Sequence, residues 1–165
     1  MMDQSSHPEK LNYVFAAGFV LYRTIPPENI IEYLLIQSNS GKFGVPKGHI
    51  EEGEEDYDAA KRETKEEVGL EEGNDFVILP GFKFNVCYEV NNIRDGNKRK
   101  SITLWLGKII NPSKCVVKTL PEHQGYKWAE FKEAISCIGR RLGHQSWVSC
   151  LEACNQRIHS TDAYK

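Results

Sequence analysis

The segment from 48 to 70, GHIEEGEEDYDAAKRETKEEVGL, constrains this chain more than any other part of it. Residues from about Asp56 to Val68 are predicted to form one helix, with Gly69 following it as a C-cap. One side of the helix carries the i, i+3, i+4 spacing of a buried stripe. The stripe consists of Tyr57, Ala60, Thr64 and Val68. The pattern therefore predicts a helix that packs this side against the rest of the fold.

Three carboxylates, those of Glu63, Glu66 and Glu67, lie beside one another on a second face of the same helix. Like charges at i, i+4 cost about 0.2–0.5 kcal/mol per pair in water and more when partly buried. A positive charge must offset this cost. Ion pairs at i, i+4 between Asp58, Arg62 and Glu66 are one source, as on an ordinary solvated helix face. A hard divalent cation, which prefers oxygen ligands, is the other.

The spacing around the helix extends the pattern. Gly48 is followed by Glu54 after five residues, then by Arg62-Glu63 after seven more, and Gly69 closes the segment. The segment thus resembles the Nudix hydrolase signature GX5EX7REUXEEXGU, where U is a bulky apolar residue, and departs from it only at Thr64. The resemblance implies a Nudix fold, which is an α+β fold built as an α/β/α sandwich with a mixed sheet between helices. It also implies metal-assisted hydrolysis of a nucleoside diphosphate linked to another group, with Mg²⁺ or Mn²⁺ as cofactor.

By position in the signature, the resemblance also implies that Gly48, Glu63, Glu66 and Glu67 bind the metal. Glu122, from outside the helix, is implied as a further metal ligand or base. Glu63 or Glu67 would lie near the attacking water, and which of them acts as the base stays open. Arg62 would orient a neighbouring glutamate rather than touch the substrate.

Three further segments, at 31–37, 46–51 and 121–128, resemble one branch of that family, the asymmetrical diadenosine-tetraphosphate hydrolases of the animal type. The branch implies cleavage of diadenosine tetraphosphate and related dinucleoside polyphosphates to products such as ATP and AMP. The catalytic group implied is Glu63, Glu67, Glu122, Lys47 and His49, with the last two contacting the phosphate chain. The substrate-binding group implied is Tyr88, Lys98, Lys100, Phe43 and Arg140. His123, beside Glu122, is given no role.

The substrate residues have simpler interpretations as well. Tyr88 is equally explained as a packed strand aromatic. The cluster Lys98-Arg99-Lys100 is also typical of a solvated strand edge. The chain departs from the branch at 43–45, which read Phe-Gly-Val where relatives have Trp-Thr-Pro. It departs again at Arg140-Arg141, where a second aromatic is expected, although an arginine can also stack on a base.

Other functions stay open within the same fold. Hydrolysis of a diphosphoinositol polyphosphate would require a dense cationic pocket. Hydrolysis of capped or 5′-phosphorylated RNA would favour a broad basic surface, and the net charge of −2 makes a nucleic-acid partner a weaker hypothesis. A nucleotide-binding module without catalysis is the non-enzymatic alternative.

The composition indicates how the chain is divided into domains and in which cellular compartment it is expected. The chain of 165 residues is 40% hydrophobic, which suits one globular domain, predicted at 12–160 between a flexible lead-in at 1–11 and a tail at 161–165. Its five cysteines form no disulfide-like framework and predict a reducing, cytoplasmic or also nuclear location. No apolar run approaches about 18 residues, so no membrane association is expected. A monomer is expected.

The remaining elements are predicted from alternation, turn residues and helical periodicity. Predicted strands cover 13–22, 31–36, 43–47, 76–79, 82–90, 101–110, 116–120 and 126–128. Predicted helices, besides the first, begin near 130 and cover about 145–159. Asp95-Gly96 predicts the turn of a lengthened hairpin.

Overall fold

The computed structural model describes residues 12–92, 96–140 and 142–162. In these ranges an eight-stranded mixed sheet packs with three helices. The strands are β1 (Asn12–Ile25), β2 (Ile30–Ser38), β3 (Phe43–Gly44), β4 (Lys47–His49), β5 (Phe76–Ile78), β6 (Phe84–Asn92), β7 (Gly96–Ile109) and β8 (His123–Glu130). The helices are α1 (Asp56–Val68), α2 (Phe131–Ile138) and α3 (His144–Asp162).

The sheet is mixed and splits at one end. Strands run in the order β3-β2-β1-β7-β5, with β8 on β2, β4 on β1 and β6 on β7. Only the β1–β7 pair is parallel. Strands β1 and β2 pair near Tyr22 and Tyr33 and then diverge, so that β3 continues from β2 and β4 lies along β1. This split opens a gap in the sheet.

Two apolar cores lie on opposite faces of the sheet, because successive side chains of a strand point to opposite sides. In β1, Ala17, Phe19 and Leu21 pack in the core that α1 covers. Ala16, Val20 and Tyr22 pack in the core that α2 and α3 cover. The predicted α/β/α sandwich is confirmed.

Helix α1 has the predicted bounds and the predicted buried side. Ala60, Thr64 and Val68 are buried, together with Ala59. Gly69 ends the helix at φ 72°, a conformation that favours glycine, and its N–H bonds to the carbonyl of Lys65.

The strand predicted at 116–120 is wrong, since this segment forms no strand in the structure. Val117 is buried and the N–H of Lys118 bonds to the carbonyl of Val68 at 3.0 Å. The segment therefore lies against the end of α1. It bonds to a carbonyl of the last helical turn instead of pairing with a strand.

Two other predictions concern residues at the ends of the described ranges. Helix α3 continues to Asp162, so residues 161 and 162 belong to a helix and not to a tail. The turn at Asp95-Gly96 lies partly outside the described residues, although Asn92 pairs with Gly96 across the hairpin. None of the helices in the described ranges is both long and apolar enough to span a bilayer.

Thr64 is fully buried, and its hydroxyl has no hydrogen-bond partner among the described residues. A buried polar group without a partner destabilises the fold, and valine has nearly the same shape and helix propensity. We expect Thr64→Val to raise the free energy of unfolding by about 1 kcal/mol, or Tm by about 2–4 °C. Thermal unfolding followed by circular dichroism measures this.

The matched control is Thr24→Val at a partly exposed position of β1, where we expect a change below about 0.5 kcal/mol. A loss of stability in Thr64→Val would mean that the hydroxyl is bonded in solution.

Candidate active site

Arg62 ties helix α1 to the segment before it. Its Nε and Nη2 donate to the two carboxylate oxygens of Glu54 at 2.9 and 3.0 Å. Its Nη1 donates to Glu63 at 2.9 Å and to Glu66 at 3.4 Å. Its Nη2 also donates to the carbonyl of His49 at 3.1 Å. The guanidinium therefore fixes the spacing between α1, the loop and β4, and it contacts a neighbouring glutamate as expected.

Gly48 lets Glu63 approach the sheet. It lies in β4 opposite Ala17 of β1. A Cβ at this position would collide with the carboxylate of Glu63. Only glycine leaves room for this side chain, which is the physical reason for a glycine at this point of the signature.

Glu67 is a partly buried carboxylate that lies beside Lys47. One oxygen accepts the backbone N–H of Lys47 at 3.2 Å. Burial raises the pKa of Glu67 to about 7, with Glu63 and Glu66 adding to the rise and Lys47 opposing it. A fraction of this carboxyl is therefore protonated near neutral pH.

The residues predicted to hold a metal are not gathered around one point. Within the described ranges, no three His, Cys, Asp or Glu side chains are placed to hold a metal ion as they stand. Glu63 and Glu66 accept hydrogen bonds from Arg62, while Glu67 accepts the backbone N–H of Lys47. Glu122 is exposed in the turn before β8.

The donor chemistry nevertheless fits a hard divalent cation, because carboxylate oxygens are its preferred ligands. A cation here would also lower the pKa of Glu67, which burial raises. Binding requires that these carboxylates come together around one point. The ligand set Gly48, Glu63, Glu66, Glu67 and Glu122 stays a prediction.

A cavity of about 280 Å³ opens beside Glu67, at the split of the sheet. It brings together the predicted residues Lys47 and Glu67 with the segment 36–45 and with His123. Its lining comprises Ile36, Ser38, Ser40, Lys42, Gly44, Val45, Lys47, Glu67 and His123. Sequence reasoning missed Lys42 and His123; the position of His123 directly after Glu122 was the one available signal.

A second cavity of about 320 Å³ adjoins the first and shares Ser40 and Lys42 with it. It brings together Phe43 and Arg140, two predicted substrate residues that are far apart in the sequence. The Lys127 ammonium lies 5.4 Å from the centre of the Phe43 ring. The cavity therefore presents an aromatic ring and a guanidinium, both of which can stack on a nucleobase.

The other predicted substrate residues form a separate group. Tyr88 pairs with Lys100 across β6 and β7, and Lys98 lies opposite Val90 on the same face of the sheet. The backbone at Gly143 covers part of the Tyr88 ring, since a Cβ there would collide with it. Strand β1 separates this group from β4, where His49 is exposed. The structure thus brings some of the predicted substrate residues to the cavities and leaves Tyr88, Lys98 and Lys100 apart from them.

We expect Gly48→Ala to weaken Mn²⁺ binding by about 10–100-fold, because the added methyl group displaces Glu63. Glu63→Gln should weaken binding to a similar extent. The double variant should lose little more than either single variant, since both changes remove the same interaction. Electron paramagnetic resonance of free Mn²⁺ measures the affinities, and losses that add in the double variant would contradict this account of Gly48.

A pH prediction follows from Glu67. Its folded pKa lies above the ordinary carboxyl value, so the folded state holds an extra proton between about pH 4.5 and 7 and loses stability as the pH rises through that range. In chelator, we expect Glu67→Gln to raise Tm relative to wild type at pH 8, and to raise it much less at pH 4.5. Glu52→Gln, at an exposed carboxylate, controls for the loss of a charge. An equal effect of Glu67→Gln at both pH values would contradict the raised pKa.

Comparison with known proteins identifies the family. Residues 14–149 match the NUDIX domain. The chain is 36% identical over 124 residues to a Caenorhabditis elegans protein named bis(5′-nucleosyl)-tetraphosphatase [asymmetrical], covering 74% of this chain and 83% of that one. It is 33% identical over 125 residues to the Mus musculus protein of the same name, covering 72% and 80%.

Solved structures agree with the sequence comparisons. A crystal structure of a C. elegans Ap4A hydrolase binary complex superposes with a TM-score of 0.73 at 32% identity, covering 92% of this chain and 99% of that one. Arg62 links Glu54, Glu63 and Glu66 of the signature, and Glu67 lies beside them at the split of the sheet. This chain belongs to the Nudix hydrolase family.

Proposed function

We propose that the protein hydrolyses diadenosine tetraphosphate and related dinucleoside polyphosphates asymmetrically, giving ATP and AMP from the tetraphosphate. Water attacks one phosphorus, and the bond to the neighbouring bridging oxygen breaks. The proposal is supported by the names of the C. elegans and mouse relatives, of which the chain covers 80% or more. It also rests on the intact signature, in which each of the three helix glutamates is present.

The observation that carries the proposal is the position of Glu67 in the wall of a cavity that Lys42 and Lys47 also line. A carboxylate beside a phosphate chain can accept a proton from the attacking water. The ammonium groups of Lys42 and Lys47 suit the negative charge of a polyphosphate.

A bound divalent cation, Mg²⁺ or Mn²⁺, would neutralise part of the phosphate charge and lower the pKa of a water molecule bound to it. Glu63, Glu66 and Glu67 would hold it. The backbone carbonyl of Gly48 and the carboxylate of Glu122 would be further ligands. Arg62 would keep Glu63 in position, through the hydrogen bond of 2.9 Å described above. Glu63 and Glu67 are both retained as candidates for the base.

The remaining parts of the substrate are assigned to residues by the chemistry of their side chains. Lys47 and His49 would contact the phosphate chain, and Phe43 and Arg140 would hold one nucleobase in the second cavity. Tyr88, Lys98 and Lys100 form the separate group on β6 and β7, and we assign the other nucleoside half to them.

Hydrolysis of another diphosphate is the second candidate. A diphosphoinositol polyphosphate would favour a denser set of cations than Lys42 and Lys47 and would not use an aromatic ring. The Phe43 ring in the adjoining cavity favours a nucleotide. A monomeric state and a cytoplasmic or nuclear location stay predictions from composition.

The test is product analysis of the purified protein with diadenosine tetraphosphate and Mg²⁺. We expect ATP and AMP in equal amounts, and a loss of kcat of about 100-fold or more in Glu67→Gln and in Glu63→Gln. Chromatography of the products over time separates ATP and AMP from ADP.

Lys114→Gln is the matched control, because Lys114 is exposed in a turn beyond the far end of β7 and should leave the rate unchanged. Two ADP molecules would contradict the asymmetrical cleavage. Turnover of a different diphosphate with none of diadenosine tetraphosphate would favour the second candidate.

A further inference from the structure

One face of helix α2 forms a wall of the second cavity, the one of about 320 Å³ that Phe43 also lines. The wall residues follow the i, i+3, i+4, i+7 spacing of a helix face. They are Glu133, Ser136, Cys137 and Arg140. Gly139, directly after the helix, keeps a right-handed helical backbone (φ −68°, ψ −7°), so the spacing extends to Arg140. The helix therefore presents these four side chains to the cavity together.

Glu133 and Arg140 bring opposite charges to this wall. They are seven residues apart, which is two helical turns or roughly 10 Å along the axis. Glu133 forms its ion pair with Lys127 of β8 and not with Arg140. Arg140 is exposed and forms no ion pair with any other residue that the structure describes. The cavity thus offers a hydrogen-bond acceptor near one end and a donor fork near the other.

Lys127 links the carboxylate to the aromatic ring of the cavity. Its ammonium pairs with Glu133 and lies 5.4 Å from the centre of the Phe43 ring. Glu133 and Phe43 are therefore both within reach of one ammonium group. A planar base stacked on Phe43 would have the carboxylate beside one of its edges.

Guanine is the base whose edges match this pair of charges. Its O6 and N7 are adjacent acceptors, and arginine donating to both of them is the most common specific contact between proteins and DNA bases. On another edge, its N1–H and its N2 amino group are adjacent donors, which the two oxygens of a carboxylate can accept. Guanine can therefore use Arg140 and Glu133 at the same time.

Adenine matches the same two groups poorly. Beside N7 it carries the N6 amino group, a donor, where the guanidinium of Arg140 also offers only donors. Its N1 is an acceptor and would face the ionised carboxylate of Glu133, which can only accept. At each end, one of the two hydrogen bonds that guanine makes is then lost.

We propose that the second cavity selects guanine over adenine, with Arg140 donating to O6 and N7, Glu133 accepting from N1–H and the N2 amino group, and Phe43 stacking on the base. This inference rests on the proposed function, in which the cavity holds one nucleobase, and it goes further by naming that base. The favoured dinucleoside polyphosphate then carries guanosine at this end.

Isothermal titration calorimetry with GMP, AMP and IMP tests this selection. The three nucleotides share ribose and phosphate and contain no diphosphate that could be cleaved. We expect GMP to bind about tenfold or more tightly than AMP. IMP keeps O6, N7 and N1–H but lacks the N2 amino group, so its affinity should lie between the other two.

Variants of the two charged residues assign the contacts. In Glu133→Gln the amide can accept from N6 and donate to N1 of adenine, so the ratio of GMP to AMP affinity should fall by about tenfold or more. Arg140→Met should weaken GMP and IMP by about tenfold and AMP by less than about threefold. Phe43→Leu should weaken all three alike, because stacking does not depend on the polar groups of the base.

Glu28→Gln is the matched control. Glu28 is exposed in the turn between β1 and β2, at the end of β2 opposite to the one that pairs with β3. This change should leave all three affinities as they are. Glu133 and Arg140 are exposed as well, so the Tm of their variants should stay within about 2 °C of wild type.

Equal affinities for GMP and AMP, tighter binding of AMP, or no binding of GMP at millimolar concentration would overturn the proposal. An unchanged ratio of GMP to AMP affinity in Glu133→Gln or in Arg140→Met would overturn it too. Failure to cleave diadenosine tetraphosphate would count against the proposed function but not against this selection, since the affinities are measured without turnover. Cleavage to ATP and AMP together with equal affinities would refute the selection alone.

Discussion

The arrangement of the site depends on the guanidinium of Arg62. It joins Glu54 in the loop, Glu63 and Glu66 on α1 and the carbonyl of His49 at the end of β4. Its planar fork makes several hydrogen bonds in fixed directions, which a lysine cannot do. These bonds lower the pKa of Glu54 and raise that of Arg62 itself, so both groups stay charged. With α1 fixed in this way, the remaining carboxylate, Glu67, faces β4 and accepts the backbone N–H of Lys47.

The split of the sheet forms the cavity that Glu67 lines. Where β1 and β2 diverge, β3 and β4 line the two sides of the gap, and Lys47 of β4 bonds to Glu67 of α1. Gly18 of β1 takes part as well, because a Cβ there would collide with the carbonyl of Pro46. The close approach of the Pro46 carbonyl at Gly18 and of the Glu63 carboxylate at Gly48 thus brings the helix, the loop and the sheet together.

Much of this arrangement could be predicted, because much of it is local in the sequence. The periodicity of α1 and the glycine at 69 set the bounds of the helix, and the fixed spacing from Gly48 to Glu67 indicated the site. The strand wrongly predicted at 116–120 packs on α1 through Val117, a tertiary contact that alternation does not reveal. The cavity was missed for the same reason, since Lys42, Glu67 and His123 meet only when distant segments fold together.

The short loop from Ser38 to Lys42 belongs to the walls of both cavities. Any insertion or deletion in it would therefore move the donors beside Glu67 and the surroundings of Phe43 at the same time. In a lineage descended from this protein, a change in loop length would therefore alter the shapes of both cavities together. The two shapes would evolve as one character unless point substitutions at single wall positions separated them.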